Sequence, residues 1–175
     1  MGNMRAVHSR VMIVLSLLVA LVFLVPAVRP AEAGRGRVVA EKWVSQTVYL
    51  PVYSSVFFGN QKKRTRLFNV AVTVSVRNTD ASSPIEILGV RYVSSAGKTL
   101  RQYVKEPLVL PPLAAFELAV DESDEEAGVG GCFIIKWKAA DAVSAPLMQS
   151  VMIGTQNSQG ISFITEGRMV EGVRE

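Results

Sequence analysis

Five of the six residues in Asp121-Glu122-Ser123-Asp124-Glu125-Glu126 carry a carboxylate, the densest run of reactive groups in the chain. Calcium takes about six to eight oxygen ligands, but the alternating acidic order and central glycine of an EF-hand loop are missing here. Ala127-Gly128-Val129-Gly130-Gly131 follows, and the whole stretch predicts a solvated, flexible loop between two strands. Paired carboxylates can also hydrolyse a glycoside, if held about 5–9.5 Å apart. Asp121, Asp124 and Glu106 are the candidates for such a polysaccharide hydrolase, although a flexible loop holds a separation poorly. Lys105-Glu106 reads more simply as a surface ion pair.

A basic run, Gln61-Lys62-Lys63-Arg64-Thr65-Arg66, supplies a candidate patch at Lys62, Lys63, Arg64 and Arg66 for phosphate, anionic lipid or an acidic glycan. The competing expectation is a charged guard beside a very apolar strand. Aromatic residues do not interleave with the run, so it offers no stacking platform for nucleic acid. The segment VMIGTQNSQGISF (Val151–Phe163) holds two glycines, Gly154 and Gly160, around a polar centre. A phosphate-cradling P-loop needs Lys and Ser or Thr after its second glycine and then a helix. Ile161-Ser162-Phe163 follows instead and alternates like a strand, so a seven-residue turn is expected. Its amides exceed what turning requires. Thr155, Gln156, Asn157 and Gln159 are therefore the candidate polar recognition loop.

The chain has one histidine, His8, and one cysteine, Cys132. With His8 in the N-terminal leader described below, triad chemistry, a His-containing zinc site and an internal disulfide are all excluded from the remainder. Cys132, inside GCFIIKW, is expected to be a small buried hydrophobe. No cofactor or metal is expected, and the balance leans away from an enzyme.

The elements that would position these groups are β-strands. In Leu67–Arg77 the even positions Phe68, Val70, Val72, Val74 and Val76 are large and apolar. The odd positions between them are mostly small or polar, a period of two that turns one face to a core. At about 1.5–3 kcal/mol each, five such side chains contribute roughly 10 kcal/mol before entropy is subtracted. Asn78-Thr79-Asp80 with Ser82-Ser83-Pro84 reads as a turn. Ile85–Val93, with a bulge at Gly89, and Thr99–Val104 form a hairpin through Ser94–Lys98. Pro107, Pro111 and Pro112 mark an edge or crossover. Further strands are expected at Phe116–Val120, Cys132–Lys138, Leu147–Ile153 and Ile161–Ile164, with Thr47–Tyr53 an edge strand interrupted by Pro51. Trp43, Tyr49, Tyr53, Phe57 and Phe58 are expected to pack. About eight short strands and no long helix predict an all-β chain with an immunoglobulin-like or fibronectin-like antiparallel sandwich, a small barrel being the alternative.

Arg5, His8 and Arg10 precede the apolar run Val11–Val25, and Ala31-Glu32-Ala33 has the small-residue spacing of a signal cleavage site. The run falls short of the roughly 20 residues of a comfortable membrane span. Residues 1–33 are read as a signal peptide, 34–46 as a linker, 47–166 as the sandwich and 167–175 as a frayed tail. Removing the leader takes Arg5, Arg10, Arg29 and Glu32, which halves the formal net charge of +4. Export to the periplasm or the exterior is expected. An uncleaved leader tethering the chain to the inner membrane is the alternative, and the one route to a membrane.

Five stretches carry a resemblance: TVYLPVYS (Thr47–Ser54), VAVTVSVRNTD (Val70–Asp80), KEPLVLPPLA (Lys105–Ala114), FIIKW (Phe133–Trp137) and VMIGTQNSQGISF. They occur in order and resemble the bacterial exported proteins grouped as the domain of unknown function numbered 3124. The resemblance implies a small exported protein, in some members with a lipoprotein leader, and no assigned activity or catalytic residue. This chain departs from it in having no lipobox cysteine and in placing Cys132 where a small or polar residue is expected. The reading favoured is a non-enzymatic binding or assembly module of the cell envelope, its partner an envelope protein or wall component. Its rivals are the hydrolase and a small-ligand carrier lined by Tyr49, Tyr53, Phe57 and Trp137.

Overall fold

The structure is a computed structural model and describes residues 41–59, 66–156 and 158–174. The leader, the first part of the linker, Lys62, Lys63, Arg64 and Asn157 lie outside the described residues. Apart from one 3₁₀ turn at Gly128–Gly130, every described element is a strand. In chain order these are β1 (Lys42–Val52), β2 (Ser55–Phe57), β3 (Leu67–Asn69), β4 (Ala71–Arg77), β5 (Ile85–Val93) and β6 (Thr99–Val104). There follow β7 (Leu108–Leu110), β8 (Ala115–Val120), β9 (Gly131–Ser144), β10 (Leu147–Gln156), β11 (Gln159–Glu166) and β12 (Arg168–Val173).

The first sheet runs β12-β1-β9-β5-β6, with β7 pairing the other half of β5's edge; the second runs β11-β10-β4-β8. Strands β2 and β3 form a small separate pair. All pairings are antiparallel. The sheets do not close on one another, so the fold is the expected β-sandwich and not a barrel.

The two-residue period of 67–77 does what its pattern demands, since Phe68, Val70, Val72, Val74 and Val76 are all buried in the core. The stretch is nevertheless two strands. At Val70 the backbone leaves the β2 partner, its N–H donating to Ser54 O at 3.0 Å, and then joins β10 and β8. Across the core, β9 lies between β1 and β5 and buries Phe133, Ile135 and Trp137, while Lys136 and Lys138 face solvent. Tyr92 stacks on Phe133 at 4.8 Å. The bulge expected at Gly89 is present as a register shift between Ile87 and Gly89.

Three expectations need correcting. The stretch around Pro51 is no edge strand along its length, because β1 is flanked by β9 and β12. Proline is tolerated because β12 pairs only with Ser45–Tyr49, leaving the side of β1 at Pro51 without a ladder partner. Its carbonyl accepts from Ser150 Oγ (3.2 Å) and Thr165 Oγ1 (2.5 Å), which clasps the second sheet to the first. The linker assigned to 34–46 contains the first residues of β1. The frayed tail is β12, whose residues are all exposed but whose backbone pairs with β1 over Ser45–Tyr49. Gly172 permits that approach, as a Cβ there would stand 2.8 Å from the Trp43 ring.

The Asn78-Thr79-Asp80 turn ties the layers together. Asn78 Nδ2 donates to the carbonyls of Ser83, Leu110 and Pro111. Asp80 Oδ1 accepts from Ser82 N, Ser82 Oγ and Ser83 N, and Oδ2 from Lys42 Nζ (2.9 Å) and Ser144 N (3.2 Å). The Lys42 ammonium, then the Ser82 and Ser144 amides, hold the Asp80 carboxyl well below the usual carboxylate range.

Candidate functional site

One end of the sandwich gathers residues from three elements into a polar cleft of about 720 Å³. Strand β3 supplies Leu67 and Asn69, the β8–β9 connection supplies Glu122, Ser123 and Glu125, and the end of β10 supplies Thr155 and Gln156. Asn69 Nδ2 donates to Glu125 Oε1 at 2.6 Å, which bridges the connection to β3.

The β10–β11 hairpin that carries Thr155 and Gln156 is tighter than a seven-residue turn. Its ladder continues through Thr155↔Gly160 to Gln156↔Gln159, so two positions remain at the tip. Ser158, one of them, has φ +63°, the left-handed conformation two-residue hairpins use. The glycines therefore sit inside strands. Gly154 is there because β10 crosses close over β3: a Cβ would stand 2.4 Å from Asn69 O and 2.8 Å from Phe68 Cε1. At Gly160 a Cβ would meet nothing nearer than 3.7 Å.

Nor is the acidic connection a free loop. Arg101 Nη2 on β6 pairs with both Asp124 Oδ2 and Glu126 Oε2. Asp124 Oδ1 accepts from Glu126 N at 3.1 Å, and Ala127, fully buried, gives its carbonyl to Ser95 N at 3.0 Å. The 3₁₀ turn then packs its Gly128 carbonyl on Ser54 N and Oγ. The Tyr92 hydroxyl is buried beneath this corner beside Ser54, whose Oγ donates to Gly128 O. Burial first, and the Asp124 charge second, push Tyr92 up to about 12.

Of the candidate recognition residues, then, the structure brings Thr155 and Gln156 to the cleft, while Gln159 is exposed on β11 outside its lining. Arg66, the described member of the basic run, stands 4.7 Å over the Phe58 ring. Among the hydrolase carboxylates, Asp124 is held by Arg101, and neither Asp121 nor Glu106 lines the cleft. Lys105 and Glu106 are exposed and form no ion pair with each other. The carrier residues do not converge either. Trp137 is core, with Nε1 donating to Gln46 Oε1 at 3.3 Å, and Tyr53 packs edge-on against Phe163, while Tyr49 and Phe57 are exposed. A smaller depression of about 480 Å³ between β5, β7 and β9 is lined by none of the four. Trp43 is buried, and Phe58 sets its ring against Phe68. Cys132 is buried as expected, and its thiol is pushed up by that burial, against the Tyr49 hydroxyl hydrogen bond and the Arg91 charge. Among the described residues no three His, Cys, Asp or Glu side chains are grouped to hold a metal, and no helix is long and apolar enough to cross a membrane.

Sequence reasoning missed Asn69, Ser123 and Arg101. Asn69 does carry a signal, as the one amide in an otherwise valine-rich alternation, placed one residue before the strand breaks.

Residues 45–170 match the family described as Protein of unknown function (DUF3124). The chain belongs to that family. No curated protein matches this DUF3124 chain. Among solved structures it is similar to the crystal structure of Thermotoga maritima 1070, at 12% identity and a TM-score of 0.42, over 73% of this chain and 96% of that one.

Proposed function

We propose that this DUF3124 chain is an exported, non-enzymatic binding module of the cell envelope that engages a wall polymer through the cleft at the end of its sandwich. The reading rests on one observation: Asn69, Ser123, Thr155 and Gln156, from three separate elements, face one cleft beside Glu122 and Glu125. Such a mixture of amides, hydroxyls and carboxylates offers both donors and acceptors, which suits a glycan bearing hydroxyl and amide groups. Residues 1–33 act as the cleaved leader and the sandwich as the exported domain, so the processed chain begins at Gly34.

Co-sedimentation with purified cell-wall sacculi tests the reading. The wild type is expected to pellet with them, and Thr155→Ala/Gln156→Ala to lose at least about tenfold in affinity, the cost of two lost hydrogen bonds. Equal pelleting of the two proteins would exclude the cleft; no pelleting of either would exclude the polymer. Two carboxylates in one cleft also support the polysaccharide hydrolase, now with Glu122 and Glu125 in place of the expected residues. Release of reducing ends from the same sacculi, abolished by Glu122→Gln, would establish that second reading.

A further inference from the structure

The outer face of the first sheet holds a second feature, remote in residues from the cleft. Arg91 lies between the buried Val90 and Tyr92, and Lys136 between the buried Ile135 and Trp137, so both project to the solvent side. The register sets Arg91 opposite Ile134 and Lys136 opposite Gly89. The two cations are therefore diagonal neighbours across the β5–β9 ladder, within about 7–8 Å at the backbone. Like charges so placed repel, and sheets ordinarily relieve the repulsion with an opposite charge.

Four other cations among the described residues have that relief, including the next one along the same face of β9. Lys138, one outward position further along β9, pairs with Glu86 at 3.0 Å; Lys42 pairs with Asp80, Arg101 with Asp124 and Glu126, and Arg174 with Glu41. Arg91 and Lys136 have no carboxylate within 4.0 Å among the described residues. Between them the surface is recessed. Gly89 presents no side chain, and the trough it leaves, about 300 Å³, is walled by Leu88, Ile134 and Gln102. Gln102 is fixed there by its Nε2 donating to Val104 O at 2.6 Å, a bond that leaves its other amide hydrogen free.

We infer that this trough binds a phosphate group, held by the Arg91 guanidinium and the Lys136 ammonium on either side of Gly89. A planar guanidinium fork and a point-charge ammonium, with an amide donor at the rim, suit a doubly charged tetrahedral oxyanion better than a singly charged, two-oxygen carboxylate. The bound anion also supplies the opposite charge that the sheet itself omits.

The test is an amide NMR titration of the full chain with inorganic phosphate at constant ionic strength, with sodium acetate and sodium chloride as parallel arms. Saturable shifts are expected at Gly89, Arg91, Ile134 and Lys136 with phosphate alone. Arg91→Gln/Lys136→Gln is expected to bind at least tenfold more weakly, and Lys98→Gln/Lys105→Gln, which removes two other exposed lysines, to bind as wild type. Arg91→Lys keeps the charge and removes the fork, and is expected to weaken binding several-fold; it decides the matter if the doubly neutral variant does not fold. Non-saturating shifts, equal saturation by acetate, or undiminished binding by the variants that alter Arg91 would each overturn the assignment.

Discussion

Asp80 shows how one side chain in a turn can carry a pH dependence. Its carboxylate accepts from three main-chain amides, one hydroxyl and the Lys42 ammonium. Lys42 leads in holding the carboxylate, but it is half exposed and screened by solvent, so its share of the stabilisation is discounted and the amides supply the rest. The folded-state pKa lies below the unfolded value of about 3.9, so the contribution is complete above that value and is lost as pH falls through it towards the folded pKa. Asp80→Asn is expected to cost about 2 kcal/mol at pH 7 and to flatten the acid limb of stability. Urea unfolding between about pH 2.5 and 7 checks this; a variant with the wild-type slope would show that Asp80 does not titrate with folding. The turn itself was legible from Asn78-Thr79-Asp80. Its reach was not, because the partners Lys42 and Ser144 lie 38 and 64 positions away.

Individual strands were legible wherever one face is buried. Strands β4, β5, β8 and β9 follow the apolar alternation read from the residues, since burying one face forces a period of two. β12 was missed for the complementary reason: all six of its residues are exposed, so its order lies in backbone pairing, on which composition is silent. The end of β10 and start of β11 were missed because Gly, Thr and Gln look like a loop, whereas Gly154 is set by the approach of β3 and not by any turn. That difference separates the two glycines of the hairpin. Gly154→Ala is expected to lose about 2 kcal/mol through overpacking against a main-chain carbonyl, and Gly160→Ala to change stability by less than about 0.5 kcal/mol. Thermal unfolding of both variants reads it, and equal losses would mean that the β3 approach does not constrain β10. The cleft follows the same logic, with Thr155 and Gln156 visible in the sequence and Asn69 and Glu125 brought together across 56 positions.

At the scale of the molecule, the two sheets share a core and meet at the Pro51 carbonyl, and the first sheet is completed by the last strand of the chain. β12 covers Trp43 through Gly172, and Arg174 lies 4.3 Å over the same ring. Ending the chain at Gly167 is expected to cost about 3 kcal/mol, the worth of one large aromatic side chain returned to water. Tryptophan emission of the folded protein should shift to the red, because Trp43 becomes wet while Trp137 stays in the core. An unchanged unfolding midpoint and spectrum would mean that β12 closes nothing.

The pairing of β1 with β9 and β12 also sets an order of events. Gln46 meets Trp137 and Met169 across separations of 91 and 123 residues, so the strand synthesised first finds its neighbours last. Contacts that distant form slowly, and until the final strand is made β1 lacks one of its two neighbours. A nascent chain built this way cannot complete its first sheet until β12 has left the ribosome.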